Sequence, residues 1–231
     1  MSSPSPYLDL SRVRIRAADA DEHPRCEQEL ATHHYLPEAQ VAGNRGWQIA
    51  ECDGRWVAVI LWCAAAKRLK GREEWIGWDP RTRAERLKLV VQQARFCLLQ
   101  TQPNLASRIL GESVRHLPEW WQQKHGYTPL LAETFVDPER FESTCYRAAG
   151  WSEAGATAGH RRAGRDYYQP GAGLKSLWLK PLRPNAAVLL RGPLELLPSE
   201  CRAAQPVAAM GVLPVKLAQA ESLCSALASV P

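Results

Sequence analysis

One segment constrains the fold more than any other; it runs from His125 to Trp151 and reads HGYTPLLAETFVDPERFESTCYRAAGW. Its apolar stretch Pro129–Val136 predicts a strand. Asp137-Pro138 predicts the start of a short amphipathic helix, because an acidic N-cap followed by proline suits a helix N-terminus. Gly150 is the expected end of that helix, ahead of an aromatic strand at Trp151. A chain with this segment therefore needs a layered fold that combines helices with a sheet.

A β-hairpin is the clearest local pattern in the rest of the chain. Two apolar strands, Trp47–Cys52 and Arg55–Cys63, flank Asp53-Gly54, a pair that accepts the positive φ angles of a type I′ turn. Further along, Asp79 can cap a helix that has Pro80 at its first position. The hairpin and this helix place strands and helices in alternation.

The remaining elements complete a mixed α/β order. A strand is expected at Val90–Leu99, and Asn104 opens a helix that Pro118 is expected to break or kink. The other predictions are a short strand at Arg12–Arg16, a helix at Asp19–Thr32, a charged connection at Lys67–Gly77, a turn at Glu119–His125, and a final strand pair at Trp151–Ala156 and Leu174–Leu179.

Composition limits the class of protein. With 231 residues, of which 45% are hydrophobic, the chain can bury a core in one domain. Its longest apolar run, Trp56–Ala66, is shorter than the roughly 20 residues that cross a bilayer. The seven cysteines include no Cys-x-x-Cys pair, which suits neither a disulfide framework nor structural zinc. We expect a soluble cytoplasmic protein that makes no membrane contact.

Positive charge is concentrated in two clusters. Between Arg55 and Arg95 there are ten basic residues against four acidic ones, and the second cluster lies in a Gly/Ala-rich loop. The members of that second cluster are His160, Arg161, Arg162 and Arg165. Basic clusters interleaved with aromatic residues can hold phosphates and stack on bases, although a solvated basic face gives the same pattern. Together the two clusters slightly favour DNA or another polyanion as a partner.

A few side chains are candidates for chemistry. Glu133 lies on an apolar strand, where a carboxylate is either hydrogen-bonded structurally or has a raised pKa suited to a general base; the structural role is favoured. Cys145 is a nucleophile only with a histidine nearby, and a core position is the more typical role. Arg95, in an extended apolar segment, is expected to pair with Glu133 or to receive a phosphate. Adjacent His33 and His34 point in different directions, so no metal site is predicted.

The order of elements resembles that of GNAT acyltransferases. The resemblance implies that Val90–Leu99 and Pro129–Val136 are neighbouring parallel strands, with Glu133 as base and Tyr146 as the general acid. In that family a glycine-lined turn before the central helix holds the pyrophosphate of acetyl-CoA. Here residues 100–106 read QTQPNLA, without a glycine, and Pro103 removes a donor. The resemblance therefore implies the fold but leaves the cofactor unknown.

A more specific resemblance, over roughly residues 30 to 180, is to the DruA family of Druantia anti-phage systems, which is also found joined to transposases. The matching motifs are His34-Tyr35-Leu36, Trp75-Ile76-Gly77-Trp78, Ala94-Arg95-Phe96, Asn104-Leu105-Ala106-Ser107, Gly126-Tyr127, Glu133-Thr134-Phe135-Val136-Asp137 and Cys145-Tyr146-Arg147-Ala148-Ala149. The chain departs from the family at Gln92-Gln93 and at Gly150, where asparagines are expected. The residues within these motifs that we expect to bind a ligand or nucleic acid are His34, Tyr35, Trp78, Arg95, Asn104 and Ser107.

The C-terminal part carries a second resemblance. Residues 220–231 look like the opening helix of an insertion-sequence transposase of the ISAs type, while Pro181 to Pro214 has the pattern of a proline-rich connector. The implied organisation is a DruA-type domain over residues 1–180 and a connector with a short helical tail over 181–231. A fused or associated transposase or defence component is then a candidate partner. A tail that packs on its own domain is the alternative.

Three functions follow from these patterns. The first is a GNAT-like module of anti-phage defence or mobile elements that contacts nucleic acid. The second is an N-acyltransferase that uses an acyl-CoA or another acyl donor. The third is a non-catalytic structural adaptor whose pocket is vestigial.

Overall fold

Seven strands form one mixed sheet in the computed structural model, and two more form a separate hairpin. The structure describes residues 7–36, 41, 43–157, 160–162, 168–170 and 173–202. The strands are β1 (Arg14–Ala17), β2 (Arg45–Cys52), β3 (Arg55–Ala64), β4 (Val90–Leu98), β5 (Leu131–Val136), β6 (Ser152–Ala156), β7 (His160–Arg162), β8 (Tyr168–Pro170) and β9 (Ser176–Pro181). The helices are α1 (His23–His33), α2 (Lys70–Ile76), α3 (Pro80–Arg86), α4 (Leu105–His125), α5 (Thr144–Ala148) and α6 (Ala186–Arg191).

The parallel pairing of β4 and β5 organises the large sheet. Its strand order is β1-β2-β3-β4-β5-β9-β6, and the other neighbouring pairs are antiparallel. The pairing runs only from Val90 opposite Leu131 to Gln93 opposite Thr134, although β4 continues to Leu98. Beyond Gln93 the two strands are no longer paired, and we call the gap between them the wedge. The predicted parallel neighbours and GNAT-like mixed α/β sheet are confirmed.

Helices cover both faces of the sheet. Ile49 of β2 packs in a cluster with Leu30 of α1, whereas the next residue, Ala50, packs in a cluster with Ile109 of α4. Because successive side chains of a strand point to opposite faces, α1 and α4 lie on opposite sides of the sheet. The core is therefore a sheet between two helical layers.

Local signals predicted several elements correctly. At the β2–β3 turn Asp53 and Gly54 have φ angles of 53° and 74°, as the type I′ hairpin requires. The side chain of Asp79 accepts hydrogen bonds from the first backbone N–H groups of α3, which has Pro80 at its first position. In both cases the residues that determine the geometry are adjacent in sequence.

The helix expected to start at Asp137 begins later. The carbonyl of Asp137 accepts the amides of Arg140 and Phe141, and its carboxylate accepts the amide of Glu139, so the chain closes a single turn that does not propagate. Helix α5 starts only at Thr144, after Ser143 at a φ of 58°. Its end at Gly150, with a φ of 74°, is as predicted. Asparagine also tolerates positive φ, so the family's asparagine would suit this backbone.

Two other predictions about helices were wrong: that residues 67–77 are only a connection, and that the helix breaks at Pro118. Lys67–Gly77 contains α2 rather than only a charged connection, and α4 continues through Pro118 to His125. Proline inside a helix costs roughly 3 kcal/mol. The buried positions of α4 continue past it, since Leu117 and Trp121 are fully buried. Burial of that apolar face offsets the hydrogen bond that Pro118 lacks.

Residues beyond 180 belong to the same core. Ala186, Leu190 and Cys201 are fully buried among the residues of the sheet and its helices, and Arg86 donates to the carbonyl of Leu189 at 2.6 Å. The domain therefore extends at least to Arg202 rather than giving way to a connector near Pro181. Residues 203–231, which include the segment that resembles a transposase helix, lie outside the described residues. Within the described part, no helix is long and apolar enough to cross a membrane.

A buried ion pair fixes α2 to the sheet. Arg72 and Glu133 are both fully buried, with Nη1 of Arg72 2.8 Å from Oε2 of Glu133. The other carboxylate oxygen accepts the amide of Ala66 at 3.0 Å, and Arg72 also pairs with Glu73 at 3.0 Å. Burial raises the pKa of Glu133, and Arg72 opposes that effect. Because neither side chain reaches water, both charges depend on each other and on these additional protein partners.

Removing one charge of this pair should cost more than removing both. Glu133→Gln removes the buried counter-ion of Arg72 and leaves it only the partly exposed Glu73, so we expect the free energy of unfolding to fall by about 3 kcal/mol. The double variant Arg72→Met with Glu133→Leu should recover most of that loss. Urea unfolding followed by circular dichroism measures both. A loss under about 1 kcal/mol in Glu133→Gln would contradict the mutual dependence of the two buried charges.

Two helical glycines should respond in opposite ways to alanine. A Cβ on Gly71 would overlap the backbone oxygen of Ala154, whereas one on Gly111 would meet no atom within 4 Å. We expect Gly111→Ala to stabilise the fold by about 0.5–1 kcal/mol, because alanine has the higher helix propensity. Gly71→Ala should destabilise it, because α2 must move away from β6. Thermal melting of the two variants checks the contrast; equal effects would contradict it.

Candidate functional site

The wedge is the point where β4 and β5 separate after Gln93 and Thr134. At its closed end Thr134 donates through Oγ1 to the carbonyl of Gln93 at 3.0 Å. Trp62 and Leu61 of β3 are adjacent but lie opposite Gln93 and Arg95, so Ala94 is the extra residue of a β-bulge. The bulge turns Gln93 and Arg95 to opposite faces. It therefore gives the two sides of the wedge different chemistry.

Tyr146 closes one side of the wedge. Its hydroxyl donates to Oε1 of Gln93 at 2.7 Å, and its ring lies edge-on to Trp151 with centroids 5.4 Å apart. Burial raises the pKa of Tyr146, so the phenol stays protonated at neutral pH. Nε2 of Gln93 and Nε1 of Trp151 are buried and have no hydrogen-bond partner among the described residues. Two unused donors thus lie next to a protonated phenol.

The segment His34–Leu36 crosses the other side. Nε of Arg95 donates to the carbonyl of Leu36 at 3.2 Å, which ties the segment to β4. The ring of Tyr35 lies 5.4 Å from that of Phe141, in the loop that follows β5, and the guanidinium of Arg140 is 5.1 Å from the Tyr35 centroid. The segment therefore connects the two walls of the wedge. We call His34, Tyr35, Leu36, Arg95, Arg140, Phe141 and Lys175 the wedge rim.

Positive charge collects at the wedge rim. Val136 pairs with Ser176, which places Lys175 beside Asp137 at the open end of β5. The ammonium of Lys175 makes no hydrogen bond or ion pair with any described residue, and burial together with Arg95 lowers its pKa. Burial, followed by the charges of Arg95 and Lys175, lowers the pKa of His34 to about 4. His34 is therefore neutral at pH 7, between two cations.

Three of the predicted site residues, His34, Tyr35 and Arg95, thus meet at the wedge rim. The expected pairing of Arg95 with Glu133 is wrong: the partner of Glu133 is Arg72, and Arg95 donates to the carbonyls of Leu36 and Ala94. Both carboxylate oxygens of Glu133 are engaged inside the protein. This arrangement favours the structural role of Glu133 over that of a base.

The other predicted residues have separate surroundings. Cys145 is partly buried against the core, and burial raises the pKa of its thiol, which disfavours the reactive thiolate. The indole of Trp78 is buried and donates to the carboxylate of Glu73. Asn104 and Ser107 lie at the start of α4, where Oγ of Ser107 donates to the carbonyl of Asn104 at 3.0 Å. The side chains of Trp78 and Ser107 thus form these hydrogen bonds within their own segments and not at the wedge.

The turn before α4 does not fit the pyrophosphate of coenzyme A. The carboxamide of Gln102 accepts the amide of Leu8 at 2.7 Å and donates to its carbonyl at 2.9 Å, so it is already occupied. Asn104 supplies the positive φ of 64°, and no glycine lies between residues 100 and 106. A phosphate cradle needs backbone that a ligand can approach closely. In this protein the N-terminal segment lies against the turn instead.

Part of the first basic cluster lies next to the wedge rim. Arg68 and Lys70 line a pocket of about 220 Å³ together with Thr157, which lies three positions before β7 in sequence. The amide of Thr157 donates to the carbonyl of Lys175 at 2.8 Å, so the pocket adjoins the rim. The backbone of His160, Arg161 and Arg162 forms β7, while Arg165 lies outside the described residues. We call Arg68 and Lys70 the basic surface.

Sequence reasoning missed Arg72, Phe141 and Lys175. Arg72 stood in a segment predicted to be a charged connection, and nothing local marked it as the partner of a residue 61 positions away. Phe141 fell inside the helix predicted to start at Asp137. Lys175 lies at the start of a strand, and its place beside Asp137 depends on the pairing of β5 with β9. The nearby motif residues His34, Tyr35 and Arg95 were the sequence signal that could have indicated this site.

Solved acetyltransferases share the general fold at low sequence identity. An aminoglycoside acetyltransferase AAC(6′)-Ib, crystallised with coenzyme A and kanamycin, is 14% identical, with 75% of this chain and 96% of that one covered and a TM-score of 0.48. The ribosomal-protein-S18-alanine N-acetyltransferase from Escherichia coli is 11% identical, with 74% and 94% covered and a TM-score of 0.43. An N-acetyltransferase from Staphylococcus aureus Mu50 is 8% identical, with 74% and 97% covered and a TM-score of 0.43.

A family model gives the more specific relationship. No curated protein matches the chain. The model described as Druantia protein DruA matches residues 8–167, which include the wedge, the bulge in β4 and most of the wedge rim. That match spans more than half of the 231 residues, so the chain belongs to the DruA family.

Proposed function

We propose that this DruA-family protein contacts nucleic acid through its basic surface, in anti-phage defence or on mobile elements. One observation carries the proposal: the exposed cations Arg68 and Lys70 line a pocket together with Thr157, which precedes the second basic cluster in sequence. Neighbouring cations repel each other, and a phosphate backbone relieves that repulsion. Arg68 and Lys70 thus offer two neighbouring positive charges to a polyanion at the edge of this pocket.

The charges of the basic surface remain largely available to a ligand. Arg68 is exposed and makes no ion pair with any described residue. Lys70 approaches Glu74 only to 3.8 Å, with both side chains exposed, and such pairs contribute little to stability. Glu73 faces Arg72 and Arg83 instead. A phosphate can therefore bind here without breaking a strong internal interaction.

Acyl transfer is the second candidate, and one observation favours it: the protonated phenol of Tyr146 at the wedge. Against it, the turn before α4 does not provide the glycine-lined cradle, and the hydroxyl of Tyr146 is held by Gln93. Calorimetry and thermal shift with acetyl-CoA distinguish the candidates, since a ligand that binds the folded state raises its melting temperature. A clear shift with acetyl-CoA would support acyl transfer.

Charge reversal on the basic surface should weaken DNA binding. For Arg68→Glu with Lys70→Glu we expect at least a tenfold loss of affinity at low salt. The slope of log affinity against log salt should also fall by about 1.4–1.8, because two phosphate contacts are lost. Fluorescence anisotropy with labelled single-stranded and duplex oligonucleotides measures both quantities.

The matched control carries the same change of charge elsewhere. Arg81 on α3 has a side chain that is 90% exposed, and Lys124 near the end of α4 is also exposed. Arg81→Glu with Lys124→Glu should retain more than half of the wild-type affinity. Equal losses in the two double variants would mean that net charge alone determines binding. No binding by the wild-type protein at low salt would remove the proposal and favour a structural adaptor.

A further inference from the structure

We infer that the wedge rim binds one unpaired nucleotide of single-stranded nucleic acid, with its phosphate at Lys175 and Arg95 and its base on Phe141. This deepens the proposed function and rests on it. The rim adjoins the basic surface through Thr157 and Lys175, so a strand lying on that surface reaches it. The rim then distinguishes a single strand from a duplex.

Lys175 provides the first argument, because its ammonium is half-buried yet has no hydrogen-bonding or ionic partner in the described part of the chain. Asp137 attracts the Lys175 charge, but its carboxylate is shared: it accepts the amide of Glu139 at 3.1 Å and lies 3.4 Å from Nε of Arg140. A partly buried cation is stabilised by a direct anionic partner. The phosphate of a bound strand supplies such a partner.

Arg95 adds a second cation and determines the face of the sheet on which the phosphate would bind. It follows the bulge in β4, so its side chain lies on the face opposite Gln93 and Tyr146. Its Nε and Nη1 donate to the carbonyls of Leu36 and Ala94, which holds the guanidinium in place. His34 remains neutral and adds no competing charge. The cations thus lie on one side of the wedge, where a single phosphate can approach both.

Phe141 provides the independent argument for a base. This residue is 49% exposed, which is high for a large apolar residue beside a polar site. It contacts the ring of Tyr35, and Arg140 lies over that ring at 5.1 Å. Exposed aromatic rings flanked by cations are typical of single-strand binding, where bases stack on the rings. Bases in a duplex are already stacked and cannot cover Phe141.

The test compares single strands with duplexes. Phe141→Ala should weaken binding of a labelled oligothymidylate about tenfold, the loss of one stacked base, and should change duplex binding by less than twofold. Phe141→Trp should keep or increase affinity for the single strand. Lys175→Gln should weaken binding of the single strand and lower the slope of log affinity against log salt by about 0.7. Leu194→Ala, at a residue that is 54% exposed, is the matched control and should have no effect.

The outcomes separate this inference from the proposed function. The rim inference is wrong if Phe141→Ala leaves the affinity for single strands unchanged, or if it weakens the affinities for single strands and duplexes equally. The proposed role of the basic surface still stands in either case, provided that charge reversal at Arg68 and Lys70 weakens binding. If the wild-type protein binds neither oligonucleotide, both are overturned. Melting curves for each variant ensure that lost binding is not lost folding, and Phe141→Trp tests stacking even where the alanine variant is unstable.

Discussion

The ion pair between Arg72 and Glu133 sets the geometry on which the rest of the domain depends. It joins α2 to β5 at the position where Glu133 still lies opposite Gln92 of β4. One residue later, at Gln93 and Thr134, the two strands pair for the last time. A charged interaction that neither partner can exchange for water thus holds the closed end of the wedge, while the open end needs no backbone pairing.

The bulge at Ala94 then divides the wedge into two environments. One side contains Tyr146, Gln93 and two aromatic neighbours, and its polar groups are uncharged. The other contains Arg95 and Lys175, together with a neutral histidine. A single extra residue therefore lets one gap between strands carry hydrogen-bonding chemistry on one face and electrostatic chemistry on the other.

How much the sequence predicted depended on how local each cause was. The hairpin at Asp53-Gly54 and the cap at Asp79 need only adjacent residues, and both were predicted. The turn at Asp137 and the continuation of α4 through Pro118 depended on competing hydrogen bonds and on buried area, which local propensity does not contain. The Arg72 partner and the position of Lys175 depended on strand pairing, so for this site only the motif residues His34, Tyr35 and Arg95 gave a signal.

The two hydrogen bonds between the side chain of Gln102 and the backbone of Leu8 join distant parts of the chain. The carboxamide of Gln102 both donates to and accepts from the backbone of Leu8, 94 positions away. This reciprocal pair of hydrogen bonds has the pattern of two residues paired in neighbouring β-strands. Displacing Leu8 would therefore break both hydrogen bonds of the Gln102 carboxamide, two residues before the N-cap of α4. Among the described helices α4 is the longest, so its N-terminal end is tied to a segment that precedes the first strand.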